Sequence, residues 1–307
     1  MKIKTSVRCI PDVSPVYSCM IAHSPTVIRA HAKINLGLLV TGKRSDGYHD
    51  IATVFHRIAL ADRITLSPAA GITVHSTGNS APSGETNICH QAARLVAEEL
   101  GERRGVLVDI VKTIPVGAGL GGGSSDAAAV LRALPRFWEA EIPPPALGAL
   151  ALRLGSDVPY FLRPGSAIGT GRGEQLEYFP LDLPFAILVC TPRVHISTAW
   201  AYARVVPRAR PGVDIREILA SGLADPSLLG AQLVNDFEEP VFSAYPGVAR
   251  LKTALTGAGA LFASLSGSGS SVYAFFRSTA DAERARGEIP PADCLTSVTP
   301  PFWKEEP

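Results

Sequence analysis

Residues 106–134 read VLVDIVKTIPVGAGLGGGSSDAAAVLRAL, and three kinds of local structure follow one another in them. The apolar, β-branched run 106–111 predicts a strand. Residues 115–126 predict a loop, with glycine at Gly117, Gly119, Gly121, Gly122 and Gly123. Residues 127–134, rich in alanine and leucine, predict a helix, with Ser124, Ser125 or Asp126 placed to cap it. Glycine admits positive φ and close approach but loses more conformational entropy on folding than other residues. Five glycines in seven positions therefore suit a binding loop better than a connector. Strand, glycine loop and helix start together turn free backbone N–H groups and the helix dipole toward an anion, most often a phosphate.

The P-loop pattern is absent, because the Gly42-Lys43 pair is followed by Arg44 rather than Ser or Thr. The dinucleotide pattern G-x-G-x-x-G is met at Gly117, Gly119 and Gly122. A cluster this dense meets it by chance, and the fingerprint belongs directly after a first strand rather than a hundred residues into a chain. An NAD-dependent oxidoreductase would also need an acidic residue about 20 positions further on, for which Glu139 or Glu141 is available.

At 307 residues the chain can bury a substantial core in one large or two ordinary domains. A net charge of +1 with 19% charged residues points to neither nucleic acid nor a membrane surface as partner. The longest clean apolar run, 185–190, is far too short to span a bilayer. Arg8, Pro11, Asp12 and Pro15 break any signal-peptide core. Cys9, Cys19, Cys89, Cys190 and Cys294 are odd in number and lack C-x-x-C spacing, which predicts reduced thiols in a cytoplasmic protein rather than disulfides or a zinc site.

Residues 1–25 show no period and predict a loose extension, with Met20 a candidate start. Strands are predicted at 26–30 and 32–41. In the second, alternation places Lys33, Asn35 and Gly37 on one face and Ile34, Leu36 and Leu38 on the other. On pattern alone the Lys33 face is solvated. The Asp46-Gly47 turn opens a strand from Tyr48-His49-Asp50 to residue 60, a hairpin expected to bring Tyr48 and His49 near the Lys33–Asn35 face. Short strands are predicted at 62–66 and 72–75, a loop at 81–85 and a helix from Asn87 stopped by Gly101. A helix over 146–154 ends at Gly155, which leaves Asp157 just past its end with Pro159 blocking continuation. Residues 165–173 predict a glycine-rich turn, with the domain change soon after. The run 185–190 predicts a buried strand, Arg204, Arg208 and Arg210 a solvated loop, and 233–242 a helical region. Strands at 260–265 and 271–276 flank the small-residue loop 266–270.

AKINL at 32–36, DGYH at 46–49, PVGAGLGGGSS at 115–125 and SLSGSG at 264–269 follow one another in the order found in the GHMP kinases, the superfamily that includes galactokinase, homoserine kinase and mevalonate kinase. Over roughly residues 26–300 the chain resembles the branch of that superfamily acting on cytidine-diphospho-methylerythritol, since Gly47-Tyr48-His49 after AKINL is lacking in mevalonate and homoserine kinases. The resemblance implies an α+β fold of two domains, a GHMP kinase N-terminal ATP-binding domain over 26–178 and a smaller C-terminal substrate domain over 179–307. It implies transfer of phosphate from ATP, with Mg²⁺, to the 2-hydroxyl of that substrate in the non-mevalonate route to isoprenoid precursors.

Residue by residue, it implies that Pro115, Val116, Gly117, Ala118, Gly119, Leu120, Gly121, Gly122, Gly123, Ser124 and Ser125 hold ATP. Asp157, in Gly-Ser-Asp-Val-Pro, would be the catalytic base and Lys33 its partner. Asn35 and His49 would bond the cytidine diphosphate, Tyr48 would pack near the cytosine, and Tyr202 would stack on it. Gly267, Ser268 and Gly269 would line the substrate site, while the metal ligands are unspecified. Ser156 stands where the family has alanine. A kinase for another small alcohol and a catalytically silent nucleotide sensor are the remaining alternatives on this fold.

Overall fold

The computed structural model describes residues 25–79, 81–210, 213–290 and 292–305. The predicted extension and the candidate start Met20, with Cys9 and Cys19, lie outside the described residues. Two antiparallel strands form the spine. β1 (Thr26–Lys43) pairs along its whole length with β2 (His49–Ala69), from Thr26 opposite Leu66 to Lys43 opposite His49, through three register shifts. The two strands predicted over 26–41 are thus one, and the predicted strands 48–60 and 62–66 are also one. Bulges bend the long hairpin where separate short strands would have turned.

The free edge of β2 pairs with two further strands. Toward its end it meets β4 (Gly105–Lys112), which is joined in parallel to β3 (Ile72–Gly78). Nearer its start it meets β5 (Ser166–Thr170), followed by β6 (Gln175–Phe179). The segment predicted as one glycine-rich turn over 165–173 is therefore mostly β5, and only its last residues turn. Helix α1 (Ile88–Leu100) crosses over between β3 and β4. Asn87 caps it by accepting the Cys89 N–H at 2.8 Å, and Gly101 closes it at φ 63°. α2 (Gly122–Phe137) and α3 (Pro144–Leu154) pack with α1 against this sheet.

The chain changes sheets between Phe179 and Ala186. The second sheet runs β10 (Cys294–Thr299), β7 (Ala186–Pro192), β9 (Val272–Phe276), β8 (Phe262–Leu265). Around it lie α4 (Thr198–Tyr202), α5 (Ile215–Ala224), α6 (Leu229–Gln232), α7 (Glu238–Ala244), α8 (Pro246–Gly257) and α9 (Thr279–Gly287). The predicted helical region 233–242 begins only at Glu238. Before it, Asn235 donates to the Leu265 and Gly267 carbonyls, and Asp236 accepts the Val40 N–H and both terminal nitrogens of Arg210. Those bonds replace the helix with a joint between β1 and the second sheet. Of the basic loop, Arg204 and Arg208 are exposed as expected, the one stacked on Trp200 and the other paired with Glu239, while Arg210 is locked in that joint.

One apolar cluster lies between the sheets. Ala32, Ile34, Leu36, Val54 and Ile58 of the hairpin meet Ile187, Val189, Tyr273 and Phe275 of the second sheet. The hairpin is thus covered on both faces, and everything from Ala30 to Val40 is buried. That reverses the expectation of a solvated Lys33–Asn35 face. Cys89, Cys190 and Cys294 are buried free thiols.

Candidate active site

The glycine loop closes sooner than its sequence predicts. Gly121, at φ 68°, is the N-cap and α2 starts at Gly122, with no side chain capping it. None of the expected caps caps the helix. Ser125 donates to the His31 carbonyl at 2.7 Å and Asp126 turns to Lys112. The amides of the first turn have no intrahelical acceptor, and they stand at the positive end of a helix of 16 residues, where an anion is stabilised.

Gly119, at φ 78°, shows why this position admits no side chain. A Cβ there would collide with the Ser266 carbonyl of the loop between β8 and β9. Ser266 Oγ donates to the Gly119 carbonyl at 2.9 Å, and the Ser271 N–H donates to the Ala118 carbonyl at 3.1 Å. The two small-residue loops, 147 residues apart, thus share one seam.

That seam is one wall of a cleft of about 500 Å³. Pro115 to Gly119, Gly121 to Ser124, Gly267 and Ser268 line it, together with Lys33, Asn35, Asp157 and Tyr202. Leu120 and Ser125 face inward instead, and Gly269 packs on Leu265 and Ile196. Tyr48 and His49 do not come beside Lys33. The ladder sets His49 opposite Lys43 at the hairpin's end, while Lys33 faces Arg57. His49 is buried and lies 5.2 Å from the Tyr202 ring, which in turn meets Phe237 edge-on. Tyr48 is exposed, with the Arg172 guanidinium 4.8 Å over its ring. Arg172, Phe237 and Thr198 also line the cleft and were not found by sequence reasoning. Arg172, in the Gly-rich segment just before β6, was findable as a lone cation among turn residues.

Lys33 is 4% exposed, donates to Asn35 Oδ1 at 2.6 Å, and stands 3.6 Å from Asp157 Oδ2. Asn35 donates in turn to Thr53, and Thr53 to the Gly37 carbonyl. Burial pushes the Lys33 ammonium's pKa down, and Asp157 pulls the other way. Asp157, with 35% of its side chain open, is the pair's face to the cleft. Burial and the Lys43 charge hold His49 below its ordinary value, and burial followed by Asp157 raises the Tyr202 phenol. At the inner edge of the same cleft, beside Gly122, Lys112 is wedged between Asp62 and Asp126. Asp62 also accepts the Thr113 and Ile114 amides. Burial pushes the Asp126 carboxyl up to about 8, aided by Asp62 and opposed by Lys112.

Two family models match the chain, GHMP kinases N terminal domain over residues 87–165 and GHMP kinases C terminal over residues 216–293. A Chlorobium limicola protein named 4-diphosphocytidyl-2-C-methyl-D-erythritol kinase is 46% identical over 281 residues, spanning 90% of this chain and 97% of its own length. This chain belongs to that family of GHMP kinases. A crystal structure of 4-(cytidine 5'-diphospho)-2C-methyl-D-erythritol kinase superposes with a TM-score of 0.76 at 36% identity, covering 89% of this chain and 98% of that one. Homoserine kinase from Cytophaga hutchinsonii, at 20% identity and a TM-score of 0.64, shares the fold over 89% of this chain and 95% of its own. The expected two-domain α+β GHMP-kinase fold is therefore the one observed. Membership in this family removes the oxidoreductase alternative and favours the cytidine-linked branch over other alcohols. Among the described residues, no helix is long and apolar enough to cross a membrane.

Proposed function

We propose that the protein is an ATP-dependent kinase that phosphorylates the 2-hydroxyl of 4-diphosphocytidyl-2-C-methyl-D-erythritol in the cytoplasm. Residues 26–178 would form its ATP-binding domain and 179–307 its substrate domain. The observation that carries the reading is the Lys33–Asp157 pair, 3.6 Å apart, in one cleft with the glycine loop and with Tyr202.

Phosphoryl transfer depends on alignment and charge stabilisation more than on covalent help from the protein. The amides of the loop and of the first turn of α2 would hold the triphosphate. Asp157 would accept the proton of the acceptor hydroxyl as its oxygen bonds to the γ-phosphorus and the bond to the departing ADP breaks. Lys33 would stabilise the negative oxygen that forms. Buried and short of counter-charge, its ammonium is free to answer that change. Asn35 orients Lys33 through its 2.6 Å hydrogen bond. At the other end, neutral His49 and the Tyr202 ring would take the cytidine, with Tyr48 and Arg172 beyond them.

A magnesium ion held by phosphate oxygens and waters needs only one or two protein oxygens. Among the described residues no group of three His, Cys, Asp or Glu forms a cage, which suits an ion brought by the nucleotide. Ser124, whose residue lines the cleft at the helix start, is the one that would hold it. Bound there, the ion would offset triphosphate charge.

ADP release should be measured with ATP, Mg²⁺ and each of four acceptors: the cytidine-diphospho compound, galactose, homoserine and mevalonate. Turnover with the first alone is expected. Turnover with another would keep the phosphate loop and discard the substrate assignment, and ATP binding without any turnover would favour the silent sensor.

A further inference from the structure

Arg57 is a buried cation outside the cleft, 5% exposed, on the strand position that faces Lys33 across the β1–β2 ladder. Its side chain reaches the segment that follows Asp157. Nη2 donates to the Phe161 carbonyl at 2.9 Å and to the Arg163 carbonyl at 2.7 Å. The guanidinium lies 5.6 Å over the Tyr160 ring and 5.5 Å over that of Phe161. Phe161 then presses against the helix start, for its ring tip and the Lys33 side chain crowd the same space beside Gly121, at 3.0 and 3.1 Å from where a Cβ would stand. One guanidinium thus ties β2, directly across the ladder from Lys33, to the segment that follows the turn bearing Asp157.

The charge is balanced from the far end of the chain. Nη1 of Arg57 forms an ion pair with Glu305, whose side chain is 12% exposed. The segment carrying Glu305 leaves β10 of the second sheet and lies along the first. Thr299 Oγ accepts the Ala59 N–H at 3.0 Å, the Phe302 N–H donates to the Leu183 carbonyl at 2.8 Å, and the Trp303 ring sits 5.0 Å from that of His31. Two carbonyls orient a guanidinium but do not neutralise it, and a buried cation without a counter-charge is unfavourable. Glu305 is what keeps Arg57 in place.

We infer that Arg57, neutralised by Glu305 of the C-terminal segment, is a positioning residue that sets the distance between Lys33 and Asp157. It touches no substrate and acts through the backbone of residues 161–163. The inference rests on the reading of Asp157 as the base. It has a consequence a purely structural ion pair would lack, namely that Arg57 matters to turnover only while Asp157 can take a proton.

The test is a cycle of four full-length proteins, wild type, Arg57→Met, Asp157→Asn and the double variant, with kcat and the KM for ATP measured for each. Misplacement of a catalytic group by about an ångström costs up to ~10²-fold in rate. Arg57→Met is expected to lower kcat by about tenfold or more with KM for ATP unchanged, and to lower it little further in the Asp157→Asn background. Arg57→Lys, which keeps the charge but cannot reach both carbonyls as a fork, should recover part of the loss. Should Arg57→Met not fold, Glu305→Gln goes through the same cycle and should show the same non-additive loss of kcat. Losses that multiply in the double variant, or an unchanged kcat in the single one, overturn the inference. If Asp157→Asn alone keeps normal turnover, the base assignment falls and the inference falls with it, a result distinct from multiplying losses.

Discussion

Two buried lysines stand at the start of α2, and they are held in opposite ways. Lys33 is 4% and Lys112 5% exposed. Lys112 has a carboxylate on each side, Asp62 and Asp126, both within hydrogen-bonding contact and both buried. Lys33 has one, Asp157, at 3.6 Å and partly open to the cleft. The consequences for charge differ in sign. Burial lowers both ammonium pKa values, but at Lys112 the two carboxylates more than offset it and raise the pKa, while at Lys33 burial prevails. A fully satisfied buried cation ties the end of β4 to the helix start. An under-satisfied one retains capacity for a new negative charge, which a developing alkoxide supplies.

The largest effect is expected at Lys112. Lys112→Met leaves Asp62 and Asp126 buried side by side with no cation between them and should destabilise the fold by about 3–5 kcal/mol, read as a lowered midpoint in denaturant, with turnover per folded molecule changed far less than stability. Lys33→Met should do the reverse. It removes a buried ammonium held by the Asn35 amide oxygen and by a carboxylate 3.6 Å away, so stability should fall far less than in Lys112→Met, while kcat should fall by roughly 10²-fold, or about 2.7 kcal/mol of barrier, with ATP binding kept. Equal losses of stability in the two variants would erase the distinction.

Asp126 makes the Lys112 cluster sensitive to pH. Its carboxyl is raised from 3.8 to about 8 by burial and by Asp62, so the folded state holds more protons than the unfolded chain between those values. Stability should therefore decline as pH rises through that window. Asp126→Asn should flatten the decline, which thermal unfolding between pH 5 and 8 would measure. The smallest effect lies at the far end of the cleft. His49 is held neutral by burial and by Lys43. The KM for the cytidine substrate should rise only as pH falls below the ordinary histidine value of about 6.5, and the KM for ATP should not follow.

What was legible in the sequence was local. Pro115 to Ser125, Lys33 with Asn35, and Asp157 after its helix each carry their signal in a few adjacent residues, and most of them meet in the cleft. What was illegible depends on partners distant in the chain. The continuous hairpin hid because bulges break its alternation, and the burial of Lys33 hid because Phe161 and the helix start at Gly121, both distant in the chain, close over its face of the hairpin. Asp126 looked like a cap because nothing local reveals Lys112 and Asp62, the latter 50 residues from Lys112. The Arg57–Glu305 pair joins residues 248 apart, and no local pattern announces it. Tyr48 and His49 were misplaced for a different reason. The turn at Asp46-Gly47 is where its residues predict, but the strands beyond it are longer than expected, so the hairpin's end lies far along the ladder from Lys33.

The most direct test compares wild type and Asp157→Asn in a single turnover, following γ-labelled phosphate from ATP to the cytidine-diphospho substrate while ATP binding is measured in parallel. Unchanged ATP binding and transfer slower by about 10²-fold or more are expected in the variant. Transfer at the wild-type rate would contradict this, because the carboxylate facing Lys33 would then not be the group that takes the proton.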